Sequence, residues 1–561
     1  MAAMEASSSL QADASGPGVV VHSIVSGLRV RGNDGTHEAI SPSVGTAIGA
    51  FSLLDTPQAA DAVASAAAAF PGWTATTFAE RRRVLDRVRG LLLKEAESLS
   101  LLIASEQGKP VAEAYLAEIL PALDHLKFIA EHAEETLAAQ ETEPAVFLIG
   151  HKQSRIEFAP IGPVLIITPW NYPFSIPITG IAAALMAGNT VVLKPAPATT
   201  LIGLAIGDLF NRAGLPHGVL NTVACSDTVA AALVSDPRFR KVLFTGSVPT
   251  GRRIMASAAS QGTPVTLELG GKDPAVVCAD ADLERAASGI VWAAFLNAGQ
   301  TCASVERVYV DEKVADAFIA KVIEKTRAIT MGDPLDGHTD MGPLTMERQR
   351  AIVVAHVEDA RARGARIETG GIRPDGPGYF YPPTVLTNVD HSMTVMRDET
   401  FGPVLPIMRV KSLDEAIRLA NDSPYGLTAS GWTTHAATAS RLERELQAGV
   451  VTINDHVYTF GEPSSPWGGI KASGIGRTHG ALGLREMTQP KYVARDMSRG
   501  GEVWWYPYGP EFRAMMAGAL TSFHHPFVLA RLFALSKLSF SNRYLTRGRM
   551  LRVLPDIFKL F

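Results

Sequence analysis

The chain has 561 residues, of which 47% are hydrophobic and 19% are charged, and its formal net charge at pH 7 is −4. At about 100 to 200 residues per domain, this length predicts a large globular protein with more than one domain. The balanced charge gives the body of the molecule no basic surface, so we expect no nucleic-acid partner. Three cysteines cannot form a complete disulfide framework, and this favours a reducing, cytoplasmic compartment.

The N-terminal half shows a helical segment followed by regular alternation. Residues 1–20 are rich in Ala and Ser and lack a basic segment before an apolar core, so we interpret them as a loose leader. Apolar residues at helical spacing predict packed amphipathic helices from Ala59 to Gln140. Helix-length segments then separate five short apolar strands, which are Val164–Thr168, Thr190–Leu193, Val219–Val223, Val242–Thr245 and Val265–Leu269. This rhythm is typical of a parallel doubly wound sheet.

A second α/β segment runs from near Pro274 to about Ile470. Its first predicted elements are the strand Ala275–Val277, the helix Leu283–Leu296 and the strand Val305–Val310. Two polar β-like segments, Phe147–Phe158 and Lys491–Arg495, fit neither half. We interpret them as an arm that pairs with another subunit, which predicts a homodimer or homotetramer.

The tail, residues 501–561, changes in composition. It is rich in aromatic and aliphatic residues and holds eight Lys or Arg against three acids, which are Glu502, Glu511 and Asp556. Basic, apolar helices of this kind can lie in a membrane interface, which predicts peripheral membrane association. A pair of helices docked on the body of the protein explains the same composition, and both interpretations stay open.

Cys302 and Glu268 are the residues that indicate chemistry. Cys302 follows a helix-ending glycine, Gly299, in a setting where backbone amides can converge on the sulfur or on an oxyanion beside it, which predicts a lowered thiol pKa. Glu268 stands between Leu267 and Leu269, and burial there predicts a base of raised pKa. A thiol with a carboxylate base suits covalent catalysis on a carbonyl. The other cysteines lie in or beside apolar strands and are interpreted as core residues.

Six motifs follow one another along residues 42–493. They are Pro169-Trp-Asn-Tyr-Pro173, Phe244-Thr-Gly-Ser247, Leu267-Glu-Leu-Gly-Gly-Lys272, Gly299-Gln-Thr-Cys302, Glu399-Thr-Phe-Gly-Pro403 and Trp467-Gly-Gly-Ile-Lys-Ala-Ser-Gly474. In order and spacing they resemble the NAD(P)-dependent aldehyde dehydrogenase superfamily. The resemblance implies an α/β fold with a doubly wound Rossmann-type cofactor domain, an α/β catalytic domain and a small β oligomerisation arm. The corresponding boundaries are 21–146 and 159–273 for the cofactor domain, 274–471 for the catalytic domain, and 147–158 and 486–500 for the arm.

The same resemblance implies a role for each catalytic residue. Cys302 would attack the aldehyde as a thiolate, and the side-chain amide of Asn171 and the backbone amide of Cys302 would hold the oxyanion. Loss of hydride to NAD or NADP would leave a thioester, and Glu268 would then activate water to release the acid.

The implied cofactor site departs from the usual nucleotide fingerprint. Instead of Gly-x-Gly-x-x-Gly, Gly246-Ser247-Val-Pro-Thr-Gly251 opens a helix whose N-terminal amides can meet a phosphate. By resemblance, Lys194 would reach the adenosine ribose and Glu399 the nicotinamide ribose. The remaining residues of the implied site are Thr168, Pro169, Trp170, Gly246, Ser247, Leu269 and Phe401. No metal site is predicted.

Three departures from the family pattern concern specificity and proton transfer. Pro197 occupies the position where many NAD-preferring relatives have a glutamate, so NADP stays open. Gly180 and Thr478 stand where many members have a lysine and a glutamate, which puts any proton relay through them in doubt. Thr179 stands near the position of an arginine found in members acting on succinate semialdehyde.

The expected substrate is an apolar aliphatic or aromatic aldehyde. Its predicted pocket is mostly apolar and consists of Phe174, Trp292, Phe295, Val305 and Phe460. A semialdehyde dehydrogenase, a coenzyme A-acylating enzyme and a catalytically silent binding or structural relative remain as alternatives.

Overall fold

The computed structural model describes residues 20–144, 149, 152–497, 502, 504–506, 508–527 and 529. Residues 1–19 of the predicted leader and 530–561 of the tail lie outside the described residues. The chain divides into two compact units, which are residues 1–137 with 160–489 and residues 138–159 with 490–561.

The strands and helices are numbered in chain order. The strands are β1 Val20–Val21, β2 Ser23–Val25, β3 Leu28–Val30, β4 Thr36–Ile40, β5 Ala47–Ser52, β6 Gln140–Thr142, β7 Gln153–Pro160, β8 Pro163–Ile167, β9 Thr190–Lys194, β10 Leu220–Thr222, β11 Lys241–Thr245, β12 Val265–Glu268, β13 Asp273–Val277, β14 Val305–Asp311, β15 Arg366–Thr369, β16 Thr384–Thr387, β17 Val404–Val410, β18 Thr428–Trp432, β19 Val450–Ile453, β20 Gly474–Ile475 and β21 Thr488–Arg495. The α-helices are α1 Thr56–Thr74, α2 Phe78–Gln107, α3 Val111–Ala114, α4 Leu120–Thr136, α5 Ser175–Met186, α6 Thr200–Arg212, α7 Asp227–Val234, α8 Val248–Ala259, α9 Leu283–Phe295, α10 Ala315–Arg327, α11 Glu347–Ala362, α12 Thr394–Arg397, α13 Leu413–Asn421, α14 Ala436–Glu445, α15 Gly480–Glu486 and α16 Pro510–His524.

The first unit contains an eight-stranded sheet in the order β20-β12-β11-β8-β9-β10-β2-β3. Its five central strands, β12, β11, β8, β9 and β10, run parallel, and they are the five strands predicted from the sequence, with ends that shift by at most one residue. Their near-continuous apolar sequences suit strands that are covered on both faces. Gly188 and Gly214 follow α5 and α6 with φ of +92° and +75°, as expected for left-handed residues that end helices.

A seven-stranded sheet in the order β15-β16-β17-β14-β13-β18-β19 belongs to the same unit. All its neighbours pair in parallel except β15, which pairs antiparallel with β16. The predicted strand 275–277 is part of β13, and α9 ends at Phe295, one residue before the predicted end. Asp282 begins α9 because its carboxylate accepts hydrogen bonds from the amides of Glu284 and Arg285. The α/β fold class is confirmed, and the division at residue 273 stays a prediction.

Three long helices, α1, α2 and α4, and the four-residue helix α3 form the predicted helical segment. Asp55 and Thr77 begin α1 and α2, each through a capping box with the residue three positions on. Between α3 and α4 the chain makes one π-helical turn, Tyr115–Ile119. Such a turn inserts an extra residue into a helix and is frequent at functional sites.

The second unit contains a three-stranded sheet in the order β21-β7-β6. Strands β7 and β21 lie on the two segments predicted as an arm, and β21 is an eight-residue edge strand whose side chains are mostly exposed. The amine of Lys152 lies 3.0 Å from Asp496 and 3.2 Å from Glu502. The role of this sheet as an oligomerisation arm stays a prediction.

Candidate active site

A cleft of about 530 Å³ lies at the carboxyl ends of β8, β11 and β12. Parallel α/β sheets bind ligands at this edge, where the strands end and polar loops begin. All three predicted catalytic residues, Cys302, Glu268 and Asn171, line the cleft. Seven of the predicted cofactor residues line it as well, namely Pro169, Trp170, Gly246, Ser247, Leu269, Glu399 and Phe401.

Asn171 is hydrogen-bonded to the loop that carries Cys302. Its side-chain Nδ2 donates to the carbonyl oxygen of Gln300 at 2.9 Å, and the hydroxyl of Tyr172 lies 2.7 Å from Oγ1 of Thr301. Asn171 is buried and follows β8, while the Cys302 loop precedes β14 of the other sheet. The two contacts therefore fix the carboxamide beside the cysteine loop, with a second N–H of Nδ2 left to donate.

Glu268 is the last residue of β12 and is buried without polar compensation. Within the described residues, neither of its carboxylate oxygens has a hydrogen-bond partner. A Cβ placed on Gly468 would lie 3.0 Å from Oε1 of Glu268, so only glycine leaves this carboxylate its present space. Burial raises the pKa of Glu268 well above its ordinary value, and Arg477 opposes this only in part. The predicted burial and raised pKa of Glu268 are confirmed, and its role as a base stays a prediction.

The thiol of Cys302 differs from the prediction. Burial, followed by the negative charges of Asp273, Glu268 and Glu399, raises its pKa well above its ordinary value. A hydrogen bond from the backbone at Ala303 acts in the opposite direction and is the weaker effect. The predicted lowering of this pKa was wrong because a nearby amide cannot offset removal from water beside carboxylates.

The nicotinamide end of the implied cofactor site rests on a buried charge network. Glu306 accepts hydrogen bonds from the amides of Thr400 at 2.7 Å and Phe401 at 2.8 Å, and from the amine of Lys272 at 2.5 Å. This network fixes the loop that carries Glu399, whose carboxylate accepts from the amide of Gly271 at 3.2 Å and whose pKa burial raises to about 8.

The phosphate end also fits a dinucleotide. Ser247 begins α8 without capping it, since its hydroxyl donates to Oγ1 of Thr250 at 3.1 Å. The first amides of α8 are thus left without a side-chain acceptor, which suits a phosphate at a helix N-terminus. The rings of Trp170 and Phe401 meet edge to face with centroids 5.4 Å apart across the cleft wall.

Thr168, which follows β8, and Lys194, the last residue of β9, do not line this cavity. The amide of Thr168 donates to the carbonyl of Lys194 at 3.2 Å, so the two residues sit together at the ends of β8 and β9. The amine of Lys194 lies 3.9 Å from the exposed carboxylate of Asp227.

Cys302 also lines a second cavity, of about 180 Å³. Apolar and aromatic side chains dominate its wall, which includes Leu116, Pro121, Tyr172, Ile176, Trp292, Leu296, Tyr458, Phe460 and Trp467. Trp292 and Phe460 were predicted here correctly. The predicted Phe174, Phe295 and Val305 do not line the cavity. The last two belong to the core of the seven-stranded sheet, and Phe174 is fully buried before α5.

The positions that depart from the family pattern also face the cleft. Gly180 and Thr478 both line it, together with His479. The ring of His479 lies 4.2 Å from that of His125, and burial lowers the pKa of His125 to about 4 and that of His479 well below its ordinary value. The sequence analysis missed both histidines because they are separated by more than 300 residues and belong to no recognised motif.

Four further residues were missed. Gln107, Lys109, Glu113 and Glu118 come from the helical segment and contact the Asn171 and Cys302 loops. No sequence signal marks them as a set, because Lys109 lies between two helices and Glu118 lies in the π-helical turn, where helical spacing does not hold. Within the described residues, no group of three or more His, Cys, Asp or Glu side chains is placed to hold a metal ion.

The comparisons with known proteins agree with this geometry. The model of the aldehyde dehydrogenase family matches residues 30–493. The chain is a member of the aldehyde dehydrogenase family. Because the family's named members use NAD or NADP, it is an NAD(P)-dependent oxidoreductase acting on an aldehyde.

Relatives differ in the substrate and the cofactor that they are named for. The 4,4'-diapolycopene aldehyde oxidase of a Methylomonas species is 39% identical over 84% of this chain and 88% of its own length. The succinate-semialdehyde dehydrogenase [NADP(+)] of Mycolicibacterium paratuberculosis is 35% identical over 83% of this chain and 98% of its own. The NAD+ complex of an aldehyde dehydrogenase from Bacillus cereus has a TM-score of 0.82 and 33% identity, covering 85% of this chain and 97% of that structure. The tail follows the region that the family model matches.

The raised pKa of Cys302 makes a testable prediction for the protein without bound nucleotide. Only the thiolate reacts with iodoacetamide, so the alkylation rate should rise about tenfold per pH unit from pH 7 to pH 9 with no plateau. The rate is measured by mass spectrometry of the Cys302 peptide. Cys302→Ser is the control, because it leaves only Cys225 and Cys278, whose pKa burial raises to about 11 and about 12, and so measures the alkylation that comes from them. A plateau between pH 7 and pH 9 would contradict the raised pKa.

Proposed function

We propose that this chain oxidises apolar aldehydes to carboxylic acids with Cys302 as nucleophile, Asn171 as oxyanion donor and Glu268 as base. The observation that carries the proposal is that these three residues, which come from both sheets, line one cleft. Each has the chemistry that its role requires, and the nucleotide-facing loops open into the same cavity.

Acylation uses the thiol and the amide. Once the thiol proton has left to solvent, Sγ of Cys302 forms a bond to the carbonyl carbon, and the carbonyl oxygen becomes an alkoxide that accepts hydrogen bonds from Nδ2 of Asn171 and from the amide of Cys302. Bound NAD or NADP supplies the hydride acceptor. When the hydride leaves the carbon, the carbonyl re-forms and Cys302 carries a thioester.

Deacylation requires a base beside that thioester. Glu268 removes a proton from water, the water oxygen bonds to the acyl carbon, and the C–S bond breaks to release the acid and the thiolate. Its lack of hydrogen-bond partners leaves both carboxylate oxygens able to accept from water. This feature favours hydrolysis over transfer of the acyl group to coenzyme A.

The residues of the cofactor site divide the nucleotide between them. Glu399, Phe401, Trp170 and Leu269 would bind the nicotinamide half, and Gly246 with Ser247 would bind the phosphates at the start of α8. Thr168 and Pro169 would contact the adenosine half beside Lys194. Pro197 is exposed three residues after Lys194 and offers no carboxylate to repel a 2′-phosphate, so the site accepts NADP as well as NAD.

The substrate proposal rests on the smaller cavity. Among the described residues, its lining includes no lysine or arginine that would pair with a carboxylated aldehyde, and exposed Leu116, Trp292 and Tyr458 stand on its wall. We therefore propose a medium- or long-chain aliphatic or an aromatic aldehyde, whose tail would extend from Cys302 past Trp292.

Cys302→Ala should abolish NAD(P)H formation from aldehyde. Glu268→Gln should retain a pre-steady-state burst of NAD(P)H near one equivalent but slow turnover by roughly 10²- to 10⁴-fold, because only the hydrolytic step loses its base. Stopped-flow absorbance at 340 nm measures both, with and without added coenzyme A. Turnover that persists in Cys302→Ala would contradict the mechanism, and product that forms only with coenzyme A would favour acyl transfer.

An aldehyde series of increasing length tests the substrate class with both nucleotides. Each buried methylene contributes about 0.8 kcal/mol, so kcat/KM should rise about fourfold per methylene until the cavity is filled. Trp292→Ala should lower kcat/KM for a long aldehyde about tenfold and leave acetaldehyde nearly unchanged. Exposed Leu93 on α2 provides the control Leu93→Ala. A preference for succinate semialdehyde over apolar aldehydes of equal length would refute this substrate class.

For the tail we propose a separate role, which is peripheral attachment to an anionic membrane. Apolar side chains of the second unit are strongly exposed, with Tyr506 at 82%, Leu529 at 81% and Phe527 at 71%. The tail carries eight Lys or Arg against three acids, a charge that complements anionic headgroups. Within the described residues, no helix is long and apolar enough to span a bilayer. Interfacial binding needs no such helix.

Vesicle sedimentation tests this attachment. The full chain should bind phosphatidylserine vesicles at low salt and lose binding at high salt or on phosphatidylcholine alone. Removal of residues 501–561 should abolish binding, and Tyr506→Ser with Leu529→Ser should weaken it. Ile372→Ser is the matched control, since Ile372 is 74% exposed but lies outside the tail. Binding that is absent, or that survives removal of the tail, would favour a structural tail.

A further inference from the structure

Lys109 and Glu118 form an ion pair that is completely removed from solvent. The amine of Lys109 donates to Oε1 of Glu118 at 2.8 Å, and both side chains are 0% exposed. Neither residue lines the cleft, so they do not touch the reacting atoms. A buried pair of this kind costs desolvation energy that its own attraction seldom exceeds, which makes its contribution to stability alone a weak explanation.

The remaining contacts of the pair converge on the Asn171 loop. The amine of Lys109 also donates to the backbone carbonyl of Asn171 at 2.9 Å and lies 3.8 Å from the ring centroid of Tyr172. Oε2 of Glu118 accepts from the amides of Phe174 at 3.2 Å and Ser175 at 2.7 Å. The pair thus holds both ends of the four-residue turn between Asn171 and α5, at a helix N-terminus that favours a negative charge.

The π-helical turn explains how Glu118 reaches this position. Residues Tyr115–Ile119 depart from the α-helical repeat, with Tyr115 and Leu116 exposed while Glu118 and Ile119 are buried. Because the extra residue of a π turn shifts the following side chains around the helix axis, the inward direction of Glu118 depends on it.

A second set of contacts joins the same carbonyl to the cysteine loop. Nδ2 of Asn297 donates to the carbonyl of Asn171 at 2.9 Å and to that of Gln300 at 3.2 Å. Asn297 and Ala298 adopt left-handed φ of 54° and 53°, which is strained for residues with a Cβ. The Glu113 carboxylate accepts from the amide of Asn297 at 3.0 Å and supports this conformation.

We propose that the Lys109–Glu118 pair is a positioning device for the oxyanion donor. By fixing the backbone carbonyl of Asn171, the pair sets the direction of the Asn171 side chain, and therefore where Nδ2 donates when an alkoxide forms on the Cys302 adduct. Lys109 and Glu118 are positioning residues and not catalytic ones. This inference rests on the oxyanion role of Asn171 in the proposed function.

A double-mutant cycle between Lys109 and Asn171 tests it. Asn171→Ala should lower kcat by about 10²- to 10³-fold, the usual loss of one oxyanion donor. Lys109→Met removes the amine at similar volume and should lower kcat by roughly 10- to 100-fold with KM nearly unchanged, because small misplacement of a catalytic group is costly. In the Asn171→Ala background the same substitution should change kcat by less than about twofold, since coupled residues are not additive.

Two further readouts separate positioning from general damage. Alkylation of Cys302 by iodoacetamide forms no oxyanion, so its rate should be the same in Lys109→Met and the parent. NAD(P) binding, followed by quenching of tryptophan fluorescence, should also be unchanged. If Lys109→Met does not fold, Glu118→Gln provides the test instead. It keeps the side-chain volume and one acceptor oxygen, and it should lower kcat with KM nearly unchanged, as expected for Lys109→Met.

Lys241→Met is the matched control, because it removes a buried lysine at 2.5 Å from Glu486 at the opposite end of β11. It should lower the melting temperature and leave kcat unchanged. Additive losses in the cycle, or alkylation slowed as much as oxidation, would overturn the positioning role. Full activity in Asn171→Ala or Cys302→Ala would instead refute the proposed function itself.

Discussion

The hydrogen bond from Nδ2 of Asn171 to the carbonyl of Gln300 joins two structural halves that have separate cores. Asn171 belongs to the loop after β8 of the eight-stranded sheet, and Gln300 to the loop before β14 of the seven-stranded sheet. A nucleotide bound at the ends of the first sheet and a thiol carried by the second can react only if these loops stay in register. The short, buried contact between them is therefore the constraint on which the site depends.

Burial has opposite consequences on the two sides of this contact. Behind it, buried charges are paired, as Lys109 is with Glu118 and Lys272 with Glu306. In front of it, Glu268 has no hydrogen-bond partner within the described residues, and the pKa of both Glu268 and Cys302 is raised. Paired charges hold the loops in place, whereas the unpaired groups are those whose protonation must change during turnover.

Much of the fold could be predicted because it depends on local signals. The five central strands of the first sheet are recognisable as apolar runs between helix-length segments. Cys302, Glu268 and Asn171 stand in motifs whose order along the chain is specific. The predictions that failed concern features that depend on contacts between residues distant in the sequence. Nothing in the sequence shows that Phe295 and Val305 point into a core and not into the substrate cavity. Nor does it show that Lys109 contacts Asn171, which lies 62 positions further along the chain. The predicted direction of the shift in the Cys302 pKa was wrong for the same reason, because Asp273 and Glu399 approach the thiol only in the folded chain.

The energetic cost of the site explains why so much structure surrounds it. Left-handed Asn297 and Ala298 each cost about 1 to 3 kcal/mol, and an unsatisfied buried carboxyl such as that of Glu268 costs a similar amount or more. Without restraint, the loop that carries Cys302 would return Asn297 and Ala298 to more favourable φ angles. The Glu268 carboxylate would likewise rotate toward water or toward Arg477. The relaxation of the loop is opposed by a group with no chemical role of its own, because the Glu113 carboxylate accepts a hydrogen bond from the amide of Asn297. The reactive arrangement is thus a strained local state maintained by the two large cores on either side of it, so substitutions far from Cys302 that loosen either core should reduce activity before they unfold the chain.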